Sequence, residues 1–135
     1  WRTGDDEPEM IRWLSWGKEN FVRAGDIVHF VRGTKQRYQI GPIDQTMVEI
    51  GLAQFREHAA LLDAFLTNRE WLMEDGLSYA DFRMATFLTF NDAAELPMSA
   101  YPAIVRWYQQ LETIDAWRDP FVGLDAPPLP PRQTA

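Results

Sequence analysis

None of the 135 residues is cysteine, which excludes disulfides, thiolate metal sites and a cysteine nucleophile, and fits a reducing compartment. Long apolar runs are missing too. Nothing approaches the roughly 20 apolar residues that span a bilayer, and no signal-peptide pattern opens the chain. The expectation is a soluble, cytoplasmic protein with no membrane partner. Positive charge is scarce: 13 Lys and Arg stand against 20 Asp and Glu, a net charge of −7, which argues against nucleic acid as a partner. Apolar and polar residues do not alternate over any useful length, so no sheet is expected. Neither of the two histidines, His29 and His58, has another ligand type four residues away, so no metal is expected. Ser15 and Ser99 lack a paired His and Asp, and phosphate-binding glycine patterns are absent.

What the sequence does contain is helical periodicity, on a chain long enough for one domain with one core. Residues 1–8 are polar and acidic, a linker feeding a helix that begins near Pro8. Met10, Trp13, Leu14, Trp16 and Phe21 follow at steps of three and four, and Gly25 is expected to kink or end that helix. A second run extends from Ile27 to about Tyr38, where Gly41-Pro42 stops it, so that the two runs are one long broken helix or two short ones. Met47, Ile50, Leu52, Phe55, Ala59, Leu62, Phe65 and Leu66 mark a long helix from about Asp44 to Asn68. A last well-marked helix starts at Pro102 and carries Ile104, Trp107, Tyr108, Leu111 and Ile114. Residues 125–135 are proline-rich and expected to be extended or disordered; Pro127 to Arg132 fits a polyproline ligand pattern or a plain low-complexity end.

The most informative stretch is Leu77-Ser78-Tyr79-Ala80-Asp81-Phe82. Ser78 at an N-cap and Asp81 three residues later form the two halves of a capping box, each side chain taking a backbone N–H of the other's residue. Leu77 and Phe82 are spaced as a hydrophobic staple. The helix they open carries Phe82, Met84, Ala85, Phe87, Leu88 and Phe90 around most of its circumference, which predicts burial in a core. Asp81 is therefore read as a cap before any catalytic role.

Leu62-Asp63, Phe65-Leu66, Trp71-Leu72, Gly76 to Asp81, Tyr101-Pro102, Trp107 and Trp117 to Phe121, in that order and spacing, resemble the C-terminal helical domain of cytosolic glutathione transferases. Arg12 to Trp16 is similar to the first helix of that domain in bacterial members. The resemblance implies an all-α bundle of five to seven helices over residues 9–124, without the thioredoxin-like N-terminal domain that binds glutathione and activates its thiol. It implies glutathione as co-substrate of the intact protein, a small electrophile as the other substrate, and that N-terminal domain and a second subunit as partners. The chain opens on Trp1, not Met, which leads us to expect an upstream segment.

On that resemblance the first helix walls the hydrophobic pocket. Trp13, Trp16, Asn20 and Arg23 lie at steps of three and four and so share one face, as a pocket wall or as core packing; Trp117 and Phe121 either cap the same cleft or pack into the core. Arg12 and Arg23 suit a carboxylate of glutathione or of a partner subunit. No catalytic residue is expected in these helices, and residues 1–135 alone are expected to be inactive. Relatives that use the same fold as a non-catalytic interaction module supply the alternative function.

Overall fold

The computed structural model describes residues 1–125. They form a helical bundle with connecting loops and, among the described residues, no strand beyond an isolated bridge between Met73 and Gly76. After a 3₁₀ turn at Gly4–Asp6, three α-helical segments follow: α1 (Glu7–Gly17), α2 (Arg23–His29) and α3 (Lys35–Tyr38). They run on through two π-helical turns, Lys18–Val22 and Phe30–Thr34, with helical dihedrals at each junction, so residues 7–38 are one continuous helix. Gln39, in the left-handed region at φ 54°, ends it.

Gly25 neither kinks nor ends this helix, because its lack of a Cβ serves packing. Gly17, Gly25 and Gly33 face Met84, Phe87 and Ala93 respectively, and a Cβ at Gly25 would overlap the Phe87 ring. On a regular α-helix residues eight apart sit about 80° apart around the axis. Each π-turn carries one extra residue, so an interval of eight behaves as one of seven and the glycines drift by only about 20°. The long helix thereby keeps one small-residue seam against the segment 84–93.

Helix α4 (Gln45–Leu66) crosses α2 with Gly51 at the contact, where Val28 and Ile27 approach. Asp44 caps its start by accepting from the N–H of Met47 at 3.1 Å. At its other end the Arg106 guanidinium donates to the carbonyls of Leu66 and Arg69, both at 2.6 Å, supplying partners that a helix terminus lacks within itself.

The helix at Ser78 is shorter than its apolar pattern suggests. Helix α5 (Tyr79–Ala85) tightens into a 3₁₀ stretch, Thr86–Phe90, before one turn of α6 (Asn91–Ala94). The hydroxyls of Thr86 and Thr89 donate back to the carbonyls of Phe82 and Thr86 at 2.8 and 2.7 Å, a competition that bends helices. Met84, Ala85, Phe87 and Leu88 are buried, Phe82 is half-buried and Phe90 is exposed. Helix α7 (Pro102–Leu111) starts with Pro at its first position and takes its cap from another helix: Asp63 of α4 accepts from the N–H groups of Ala103 and Ile104 at 2.8 and 3.0 Å. A turn, α8 (Asp115–Arg118), closes the described helices.

Phe21 joins three of these elements, stacking on Phe55 at 5.3 Å and meeting Phe87 edge-on at 5.1 Å. Trp107, Met10, Leu62, Leu66 and Ile104 complete the fully buried centre. The polar start of the chain is pinned to this core: Arg2 donates to the carbonyl of Leu77 at 2.9 Å and pairs with Asp75, and Trp1 lies against Tyr79. The proline-rich run 127–132 lies outside the described residues.

Candidate functional site

Two concave surfaces flank the long helix, and the four residues expected to share a wall do not: Trp13 and Trp16 line one, Arg23 lines the other, and Asn20 lines neither. Trp13 is buried against Phe65, with ring centres 4.4 Å apart, and meets Trp16 edge-on at 5.8 Å. Both tryptophans line a cleft of about 190 Å³ with Arg12, Leu61, Leu62 and Phe65. The Arg12 guanidinium sits over the Trp13 ring at 4.7 Å. It is also held by Glu9, an ion pair that lowers the Glu9 pKa. Asn20 turns to its own backbone, donating from Nδ2 to the carbonyl of Trp16 at 2.8 Å.

Arg23 is elsewhere. It lines an open groove of about 500 Å³ together with Val22, Ile27, Phe30, Val31 and Met47. The separation has a local cause: the π-turn Lys18–Val22 inserts one residue between Trp16 and Arg23. One residue rotates everything downstream by about 100°, so steps of three and four across this turn no longer mark a single face. Phe30 and Met47, 47% and 39% exposed, give the groove an apolar floor open to solvent.

Charge gathers on the groove's rim, from Lys18, Glu19, Arg23 and Asp26 on the long helix and Arg83 on α5. Lys18 and Glu19 approach each other at 3.7 Å. Partial burial raises the Asp26 pKa, with His29 and Arg83 pulling it back. The guanidinium groups of Arg23 and Arg83 make no hydrogen bond or ion pair among the described residues. Ile27, Phe30, Met47 and Arg83 were not singled out for this surface from the sequence, because apolar residues at helical spacing mark a core stripe and a groove floor alike.

The chain-end aromatics sit apart from each other. Trp117 packs on Phe82 at 5.6 Å and its indole N–H donates to Glu112 at 3.2 Å, whereas Phe121 is 66% exposed. His58 lies edge-on to Trp16 at 6.0 Å. Among the described residues no group of three or more His, Asp or Glu side chains could hold a metal ion, and no helix is long and apolar enough to cross a membrane.

The Ser78–Asp81 pair is a folding site. Asp81 Oδ2 accepts from the N–H and the hydroxyl of Ser78 at 2.9 and 3.0 Å, and Ser78 Oγ accepts from the N–H of Ala80 at 3.2 Å. Both halves of a capping box are present. Its other oxygen, Oδ1, accepts from the N–H of Leu72 and the indole N–H of Trp107, both at 2.9 Å. Asp81 is fully buried with four donors around it, as a buried carboxylate requires.

These features are those of a known family. The model of the glutathione S-transferase C-terminal domain matches residues 24–115, more than half of the chain. FtsZ-localized protein A of Caulobacter vibrioides (strain NA1000 / CB15N) is 26% identical over 120 residues, covering 87% of this chain and 52% of that protein. Glutathione S-transferase GstB of Escherichia coli (strain K12) is 27% identical over 105 residues, covering 76% and 48%. The chain thus spans about half the length of the curated relatives it matches. A crystal structure of a glutathione S-transferase from Rhodospirillum rubrum F11 superposes with a TM-score of 0.79 at 24% identity, over 98% of this chain and 60% of that one, and shares its fold. On the family match, the chain belongs to the glutathione S-transferase C-terminal domain family.

Proposed function

We propose that this chain is the helical half of a glutathione transferase and that its open groove walls the site for the electrophile. The observation that carries the reading is an apolar floor of Ile27, Phe30 and Val31 from the first helix and Met47 from α4, under a charged rim, in a domain of this family. Pockets of this composition hold small ligands by area and orient them through a few polar groups.

In this reading a thioredoxin-like domain binds glutathione and supplies its thiolate. The helical half orients the acceptor for attack, a contribution that can be worth several kcal/mol of barrier. The cleft at Trp13 and Trp16 is a second, smaller wall, in which Trp13 mainly serves packing against α4. The leucine-phenylalanine pair Leu77 and Phe82 acts as the staple of α5. We place the intact protein in the cytoplasm as a homodimer that processes electrophiles, as in detoxification.

The test is conjugation of an aryl halide, measured for the protein expressed with whatever sequence precedes Trp1 and for residues 1–135 alone. Conjugation by the first and a background rate for the second are expected. Full-rate conjugation by residues 1–135, or none by either, contradicts the reading.

One relative favours a second reading. FtsZ-localized protein A, matched over 87% of this chain, is named for where it is found, which suggests an interaction module on the same scaffold. Co-sedimentation of this chain with FtsZ polymer, together with a lack of conjugation, is the outcome that reading expects.

A further inference from the structure

The groove is unlike the rest of the molecule in charge. Over the whole chain acids outnumber bases 20 to 13, yet the groove is lined by three cations, Lys18, Arg23 and Arg83, and two carboxylates, Glu19 and Asp26. Glu19 has Lys18 beside it at 3.7 Å. Arg23 and Arg83 come from different walls, the long helix and α5, and neither guanidinium is hydrogen-bonded or ion-paired among the described residues. Two planar guanidinium groups at the edge of an apolar floor suit a ligand whose body is apolar and whose end is a planar or tetrahedral anion.

We propose that this groove selects acceptors carrying one carboxylate or sulfonate on an apolar body, with Arg23 and Arg83 holding the anion and Ile27, Phe30 and Met47 the body. The proposal rests on the reading of the groove as the electrophile site. It adds a substrate class that apolar burial alone does not specify, since area is indifferent to the sign of a terminal charge. Asp26 tempers the field on one side.

Two isosteric probes separate charge from shape: 1-naphthaleneacetate and the neutral 1-naphthaleneacetamide. Each is titrated into residues 1–135, with binding followed through amide and methyl resonances. The acetate is expected to bind about tenfold more tightly, the scale of one charge-assisted hydrogen bond, and both probes to shift Ile27, Phe30 and Met47. Arg23→Gln and Arg83→Gln should each weaken the acetate and leave the amide unchanged, with circular dichroism showing the fold intact. Raising the ionic strength toward about 1 M should close the gap between the probes.

Equal affinities, or a preference for the acetate that survives both substitutions, overturn the anionic class while leaving an apolar acceptor site in place. Shifts confined to the cleft at Trp13 and Trp16, or none from either probe, overturn the groove as the acceptor site and the proposal with it.

Discussion

The indole N–H of Trp107 donates to Asp81 at 2.9 Å in the centre of the bundle, tying α7 to the cap that starts α5. The same carboxylate also holds the backbone N–H of Leu72 and both donors of Ser78. One side chain therefore joins the loop before α5, the first turn of α5 and α7. Its role is to place the elements that carry the groove, since Arg83 lies two residues further along α5.

Replacing Asp81 by Ala leaves the donors of Leu72, Ser78 and Trp107 unpaired in the core, at about 1–3 kcal/mol for each unsatisfied group. Because Ser78→Ala removes only one half of a cap, it is expected to cost about 1 kcal/mol. Asp81→Ala should cost about 3–5 kcal/mol, close to total unfolding for a marginally stable domain. Trp107→Phe, which keeps most of the volume and loses one bond, should fall between the two. Urea unfolding followed by far-ultraviolet circular dichroism gives the order, and equal losses for Ser78→Ala and Asp81→Ala would contradict it.

Gly25→Ala drives a methyl into the Phe87 ring, which is itself packed on Phe21. Overpacking of this kind costs about 1–3 kcal/mol. Gly17→Ala meets only the end of Met84, with Cε at 2.7 Å from the new Cβ, and a flexible thioether can move aside. Thermal melts should rank Gly25→Ala well below Gly17→Ala. The reverse order would mean that the long helix does not seat against Phe87.

Partial burial raises the pKa of Asp26 above its unfolded value. The unfolded chain then releases this proton first, so this group's contribution to stability is greatest below about pH 4 and is lost as the pH rises through the folded pKa. Asp26→Asn removes the titration. The variant should melt higher than the parent at pH 7 and equal to it near pH 3. A variant that melts lower at pH 7 would show Asp26 to be held by Arg83 rather than penalised by burial.

Local features were legible in the sequence. Asp81 lies three positions after Ser78, so their pairing follows from helix geometry. Leu72 and Trp107 lie nine and 26 residues from Asp81, and nothing in their spacing discloses that both donate to it. Asp63 was a mark of the family in the sequence; its role as the cap of α7 needed the packing of α4 on α7. The grouping of Trp13, Trp16, Asn20 and Arg23 assumed 3.6 residues per turn throughout. The π-turn at Lys18–Val22 breaks that assumption, and its trace in the sequence was the eight-residue spacing of Gly17, Gly25 and Gly33.

Steady-state conjugation of an aryl halide by the intact protein, with Phe30→Ala as the variant, decides whether the groove orients the electrophile. Truncating an aromatic floor removes apolar contact worth about 1.5 kcal/mol or more, so KM for the aryl halide should rise at least about tenfold while KM for glutathione stays fixed. Equal changes in both constants, or an unchanged KM for the aryl halide, would contradict the assignment of the groove to the electrophile.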